Sequence, residues 1–143
     1  KEGSGQSRLT VVDDIVIKLT TPYSCALITE EDEDLVVPSY CMICRDFDTQ
    51  EVDLDYLVGY LNTEYARQLL TAGVAATTNS MLKPKDVQRL PVPMLPIEEQ
   101  RLLGRLYRLS SEKQLVLKQM LTNEEAMADN LITSAILGVM KDE

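Results

Sequence analysis

The chain has 143 residues, and its 14 basic and 23 acidic side chains give a formal net charge of −9 with no histidine. A chain of this length can form one domain with a core, or a small domain with an appendage. No run approaches the ~18 apolar residues that a membrane-spanning helix needs, which predicts a soluble protein. An acidic chain binds nucleic acid poorly unless it has a local basic face, because lysine and arginine supply most of that affinity. The lack of histidine removes the commonest general base and the usual catalytic triads.

The three cysteines, Cys25, Cys41 and Cys44, cannot all pair within one chain, which favours a reducing compartment and a cytoplasmic protein. Cys41 and Cys44 have the spacing of half a zinc site. No second such pair and no histidine accompany them, so four zinc ligands are hard to assemble. The interpretation we prefer is that the thiols are small apolar strand residues, and we predict no metal and no cofactor.

The first half of the chain predicts short strands. Residues 1–7 have the composition of a linker, and residues 15–19, 25–28, 35–37 and 40–45 are rich in the β-branched and apolar residues typical of strands. The acidic run at residues 30–34 is interpreted as a solvated hairpin tip rather than a calcium loop, because it lacks the alternating ligands and glycine of an EF-hand.

Helical periodicity begins after residue 52. Asp53 is placed to cap a helix that has Leu54, Leu57, Val58 and Leu61 on one face. A cap at residues 62–63 predicts a second helix over residues 64–71, which Gly73 is expected to end.

A loop or short strand is expected at residues 74–79, and a single helical turn opens at residues 83–86. Residues 90–94 must be extended, because Pro91 and Pro93 lack an N–H group and disfavour helix in the residues before them. An edge strand is the natural place for such a segment.

The final segment predicts one long helix over residues 96–137, about 60 Å long at 1.5 Å per residue, unless Ser110 and Ser111 interrupt or cap it. Its apolar stripe alternates by four and three residues, with the polar Lys113 and Asn123 in the gaps. Such a helix should pair with another helix, and we favour a coiled coil in trans over a helix folded back as a hairpin. The stripe residues expected at the interface are Leu102, Leu106, Leu109, Val116, Met120, Met127 and Leu131.

These patterns predict an α+β protein with a small mixed sheet and short helices, followed by the long helix. The predicted organisation is a linker at residues 1–7, an α/β domain at residues 8–95, and a dimerisation or spacer helix at residues 96–143.

The order of several motifs resembles the end of a target recognition domain in the specificity subunits of type I restriction-modification systems. The family's "L-x-x-x-D-hydrophobic" segment, proline-spaced strand and Pro-x-x-Glu-Gln helix start are similar to residues 82–87, 90–93 and 96–100. Residues 55–62 are similar to the family's "Y-L-x-x-x-L-n" helix, and residues 135–138 to the end of its conserved helix. Asp14 and the residues after it resemble the family's "G-D-I" strand, with Asp13 where glycine is usual.

The resemblance implies a fold like that of a target recognition domain, with the long helix in an antiparallel coiled coil. A complete specificity subunit has two such domains and two such helices, and its domain begins some tens of residues before the "G-D-I" strand. The chain is therefore expected to be a half-subunit or fragment that restores the two-domain arrangement as a homodimer. The implied partners are duplex DNA, a methyltransferase (modification) subunit and a restriction subunit, with no membrane and no catalytic residue in this chain.

Base-reading residues vary with the target in that family, so the candidates come from residue chemistry. Lysine reaches phosphate or guanine, asparagine pairs with adenine, and hydroxyl groups reach backbone or base. Donors of these kinds on predicted loops are Lys18, Thr20, Thr21, Tyr23, Ser24, Asn79, Lys83 and Lys85.

Two other functions compete with this one. The net charge and the reduced first part of the domain favour an interaction scaffold on the same fold that does not read DNA. A hydrolase that uses Asp13 and Asp14 is disfavoured, because adjacent strand residues point to opposite sides and would not share a metal.

Overall fold

The computed structural model describes residues 8–74 and 81–142. Its strands form a three-stranded sheet from β1 (Ile15–Lys18), β2 (Cys25–Leu27) and β3 (Cys41–Cys44), in the order β2-β1-β3. All pairing among the described strands is antiparallel, so the mixed sheet predicted from sequence is wrong. A hairpin with residues 19–24 between the strands joins β1 to β2, and the chain then returns as β3, which leaves no parallel crossover within this sheet.

The predicted strands at residues 15–19, 25–28 and 40–45 are confirmed in position. Residues 35–37 instead make a single bridge, in which Val36 pairs with Leu9. Asp34, which has a left-handed backbone, precedes this segment, and Pro38, which lacks an N–H group, follows it. The acidic run begins as one turn of 3-10 helix, Glu30–Asp32, with exposed glutamates.

A short helix packs against one face of the sheet, and a second short helix follows it. In α1 (Leu54–Leu61) the Asp53 carboxylate accepts the N–H of Tyr56 at 2.9 Å, which confirms the predicted cap. In α2 (Glu64–Thr71) the Thr63 hydroxyl accepts from Ala66. This helix covers the predicted residues 64–71, with Ala72 as its C-cap and Gly73 just past its end. Among the described glycines none has a positive φ, so Gly73 does not end the helix in a left-handed conformation.

The hydrophobic core has two clusters. The larger one joins the buried face of the sheet to α1, and the smaller one lies at the far end of β1 and includes Leu19, Leu70 and Leu82. The members of the larger cluster are Ile15, Ile17, Cys25, Leu54, Leu57, Val58 and Leu61.

The segment before the long helix is extended but lies outside the sheet. After α3 (Pro84–Gln88), residues 90–96 form what we call the proline strap. The predicted edge strand is wrong: residues 90–94, all described, contain no strand. The Tyr60 and Tyr56 hydroxyls instead donate to the carbonyl oxygens of Pro91, at 2.6 Å, and Pro93, at 2.7 Å. The prolines provide no N–H groups for a ladder, and tyrosines of α1 therefore hold the strap.

The last helix, α4 (Ile97–Lys141), has 45 residues and runs without a break through Ser110 and Ser111, so the suggested interruption does not occur. Ser110 accepts a hydrogen bond from Gln114 one turn later, at 3.3 Å. The chain divides after Tyr107 into two compact units, of which the second is Arg108–Glu143. Among the helices in the described residues, none is long and apolar enough to cross a membrane.

Candidate functional site

The start of α4 is anchored to the rest of the first unit by a buried glutamine. Gln100 is only 1% exposed. Its Oε1 accepts the N–H of Asp53 at 3.1 Å, and its Nε2 donates to the carbonyl oxygens of Glu51, at 3.1 Å, and Leu95, at 2.7 Å. One side chain thus satisfies three main-chain groups, in the strap and in the segment leading to α1.

A glycine on each helix allows α1 and α4 to approach closely. A Cβ at Gly104 would overlap the Asp53 carboxylate and lie 2.9 Å from the Tyr56 nitrogen. A Cβ at Gly59 would lie 2.9 Å from the Tyr107 ring. Such distances are too short for ordinary carbon contacts, so glycine at both positions permits the packing.

The Tyr107 hydroxyl is part of a second polar anchor. Asn62, at the end of α1, donates from Nδ2 to Tyr107 Oη at 2.9 Å. The same amide group donates to the carbonyl of Cys25 and accepts its N–H, each at 2.9 Å. The first three turns of α4 therefore belong to the core structure of the first unit.

The apolar stripe of α4 lies on the face opposite this anchor. Gln100, Gly104 and Tyr107 recur every three or four residues and so share one face. Leu102 and Leu106 lie roughly half a turn away, since each residue rotates the helix by about 100°. Packing against α1 therefore leaves the stripe uncovered.

All seven residues predicted for the dimer interface are exposed, at 52–66%. They are Leu102, Leu106, Leu109, Val116, Met120, Met127 and Leu131. Residues 112–142 are exposed throughout. A row of large apolar side chains of this length on a helix is characteristic of a surface that binds another helix.

Most of the candidate DNA-binding residues lie together at one end of the sheet, which we call the basic end. Lys18 ends β1, and residues 20–24 form the hairpin that follows it. The Leu82 N–H donates to the Leu19 carbonyl at 2.8 Å, which brings Lys83 beside that hairpin. Tyr23 packs against the smaller core cluster, whereas Thr21, Ser24, Lys83 and Lys85 are exposed. Asn79 lies outside the described residues.

Acidic residues gather at the opposite end of β1, the acidic end. The Ile28 N–H donates to the Asp14 carbonyl, and the Thr10 N–H to the Leu35 carbonyl, which brings residues 30–34 to this end. Asp13 and Asp46 lie here as well, on either side of an ion pair between Asp14 and Arg45. The two ends of the small sheet therefore differ in charge, which the net charge of −9 conceals.

The ion pair at the acidic end is structural. Asp14 is 2% exposed, and both of its carboxylate oxygens contact Arg45, at 3.0 Å to Nε and 2.7 Å to Nη2. Asp14 also accepts the N–H of Val11. Breaking such a buried pair leaves an uncompensated charge, so Asp14 and Arg45 fix the entry to β1 rather than bind a ligand.

Asp13, just before this pair, has a left-handed backbone with φ of 71°. Glycine adopts this conformation without strain, whereas a β-branched side chain is rarely found there. We expect Asp13→Gly to leave the free energy of unfolding unchanged or raise it by up to about 1 kcal/mol, because relief of strain offsets the flexibility of glycine. Asp13→Val should lower it by about 2 kcal/mol.

Urea denaturation of the two variants and of Asp13→Asn measures this difference. Asparagine removes the same charge and tolerates the left-handed region, so it separates charge from conformation. Equal stability of the valine and glycine variants would show that φ at residue 13 carries no strain.

The cysteines behave as strand residues. Residues three apart on a strand point to opposite faces, so Cys44 faces the core and Cys41 does not. Burial raises the pKa of Cys25 to about 12, and burial followed by the Asp14 carboxylate raises the pKa of Cys44. The thiols are therefore protonated at neutral pH. Within residues 8–74 and 81–142, no group of three or more Cys, Asp or Glu side chains could hold a metal ion.

Several residues that organise this region were not singled out as site residues from sequence. Gln100 lies in the Pro-x-x-Glu-Gln motif, yet nothing in the sequence marks its side chain as buried. Asn62 is predicted as part of a helix cap and as the last residue of the "Y-L-x-x-x-L-n" motif, and neither pattern predicts its contacts with Cys25 and Tyr107. The pairing of Asp14 with Arg45 spans 31 residues and leaves no local pattern.

No protein-family model matches the chain, and no curated protein matches it in sequence. The function is therefore inferred from the anchored start of α4, the exposed stripe and the two ends of the sheet.

Proposed function

We propose that the chain is a DNA-specificity module of the type I restriction-modification kind. In this role it binds duplex DNA and docks a methyltransferase subunit and a restriction subunit, and it carries no catalytic residue itself. The first unit has the role of a target recognition domain, and α4 that of the spacer helix.

The observation that carries the proposal is the position of Gln100 in the Pro-x-x-Glu-Gln motif. Pro96 directly precedes the helix and accepts the N–H of Gln100. The Gln100 side chain holds the helix start to the strap and to the segment before α1. A joint of this kind gives a physical reason for the motif, since a spacer needs a defined attachment. The motif that most resembles the family is thus also the best-anchored segment.

The "G-D-I" resemblance gains support from the backbone. Asp13 occupies the position where the family has glycine, and its φ of 71° is one that favours glycine. Asp14, at the aspartate position, is buried and paired. Both features explain the motif without any role in base recognition.

The basic end is the surface that we propose for DNA. Lys18, Lys83 and Lys85 lie there, and the exposed hydroxyls of Thr21 and Ser24 lie in the same hairpin. Asp13 and the acidic run at residues 30–34 lie at the opposite end of β1, whereas Asp86 lies beside Lys83. The three lysines would favour an approaching phosphate backbone locally despite the negative total.

The stripe on α4 is the surface that we propose for a second copy of the chain. In the family, two recognition domains are joined by two antiparallel helices, and a homodimer supplies both. The exposure of all seven predicted interface residues supports a partner helix.

A salt titration of duplex DNA binding tests the proposal, with the chain alone and with the methyltransferase subunit of the same system. The log of the binding constant should fall linearly with log salt concentration, by about 0.9 for each phosphate neutralised. The Lys83→Ala/Lys85→Ala variant should reduce this slope by about 2, because two phosphate contacts are lost. Affinity should fall similarly on all sequences.

The matched control is Lys118→Ala/Lys141→Ala, which removes the same charge from exposed positions on α4. Its slope should equal that of the unaltered chain. Absence of salt-sensitive binding in both mixtures would contradict DNA recognition. Binding with equal slopes for the two double variants would place the DNA elsewhere on the protein.

The second candidate function is a dimeric scaffold on the same fold that does not read DNA. The net charge of −9 and the long exposed stripe favour it. A homodimer that binds the methyltransferase subunit but shows no salt-sensitive DNA binding would identify this function.

A further inference from the structure

A small apolar cavity lies beneath the proline strap. It has a volume of about 120 Å³ and is partly open to solvent. The isoleucines of β1 and Leu57 and Leu61 of α1 form one wall, and Leu90 and Val92 of the strap form another. Cys44, Phe47 and Val87 of α3 complete the lining.

The cavity exists because the strap fills the groove only in part. The strap is attached through the two tyrosine hydroxyls and through Leu90 and Val92, which are half-buried against the larger core cluster. Pro91 and Pro93 are exposed and add nothing to this packing. Leu90 and Val92 of the strap, together with Val87 of α3, therefore cover a groove between sheet and helix that continuous packing would otherwise fill.

The chemistry of the lining selects an apolar occupant. Most of the lining is aliphatic, with one aromatic ring and one thiol. A water molecule in a cavity needs two to four polar partners, and a protonated thiol is a poor one. Displacing poorly held water with an apolar group is favourable.

We propose that this cavity binds one compact apolar molecule of about the size of benzene. An apolar cavity of about 150 Å³ in another protein binds benzene and xenon, so a cavity of this size is suited to the same class of ligand. The lining includes none of the candidate DNA-binding residues and none of the stripe residues, and the proposal does not depend on DNA binding.

The two cysteines of β3 provide the test, because Cys44 lines the cavity and Cys41 points to the opposite face of the sheet. The full chain is treated with methyl methanethiosulfonate with and without benzene, and the modification rate of each thiol is followed by mass spectrometry. At a benzene concentration that fills half of the cavities, modification of Cys44 should slow about twofold and that of Cys41 should not change. Equal rates with and without benzene, or equal slowing at both thiols, would overturn the proposal.

Matched variants give a second readout. Benzene should raise the midpoint of thermal unfolding of the unaltered chain and of Cys41→Leu in a concentration-dependent way. It should raise that of Cys44→Leu much less, because the larger side chain occupies the cavity. The same rise in all three proteins would place benzene elsewhere and refute the site. If the Cys44→Leu variant does not fold, the modification rates of Cys44 and Cys41 in the unaltered chain test the proposal by themselves.

Discussion

The Met120→Glu variant is expected to be monomeric at concentrations at which the unaltered chain forms a dimer. Met120 lies in the stripe and is 61% exposed in the single chain, so a partner helix would bury it. Burial of such a side chain contributes about 1.5–3 kcal/mol, and a symmetric dimer contains it twice. Replacement with a charge should therefore raise the dissociation constant of the dimer at least about 100-fold. Glutamate is a good helix former, so α4 itself should persist.

The neighbouring Leu121→Glu variant is the control. Leu121 has the same exposure, 61%, but lies about 100° around the helix from Met120. Sedimentation equilibrium over a concentration series compares the two, and Leu121→Glu should dimerise nearly as well as the unaltered chain. Deletion of the residues after Ser111 should also abolish the dimer. A chain that is monomeric before and after this deletion would contradict pairing through the stripe.

The Gln100→Leu variant is expected to lose about 3 kcal/mol of folding free energy. Leucine keeps most of the volume but leaves the N–H of Asp53 and the carbonyls of Glu51 and Leu95 without their partner. Each unsatisfied buried group costs about 1–3 kcal/mol, and access to water reduces the total below a simple sum. Urea denaturation followed by tyrosine fluorescence measures the change.

Gln114→Leu is the matched substitution at an exposed position of the same helix, where the side chain donates a hydrogen bond to Ser110. It should change the free energy of unfolding by no more than about 0.5 kcal/mol. Similar losses in the two variants would mean that leucine weakens α4 generally and that Gln100 is not an anchor.

Local patterns predicted the elements of this fold well. The β-branched run at residues 15–19 and the caps at Asp53 and Thr63 depend on neighbours within four residues, and these appear as expected. The helical period of the C-terminal segment is confirmed in α4. Such features follow from local rules and need no knowledge of tertiary contacts.

The predictions that were wrong concern features determined by contacts between residues far apart in the sequence. Residues 90–94 have the composition of an edge strand, yet tyrosine hydroxyls 31 and 37 residues away in the chain hold them outside the sheet. The direction of strand pairing depends on the path of the chain between strands. The same path determines which charged residues lie at each end of β1. Composition gave only the net charge, which hides a basic end on an acidic protein.

The bonds that Asn62 makes to Cys25 bear on the solubility of the sheet. β2 is an outer strand, and the amide of Asn62 engages both the N–H and the carbonyl that Cys25 would otherwise present to a neighbouring chain. Unpaired groups along an outer strand are templates for edge-to-edge aggregation. The Asn62 side chain thus pairs the two backbone groups of Cys25 that point away from β1. It prevents β2 from pairing with another molecule at this residue.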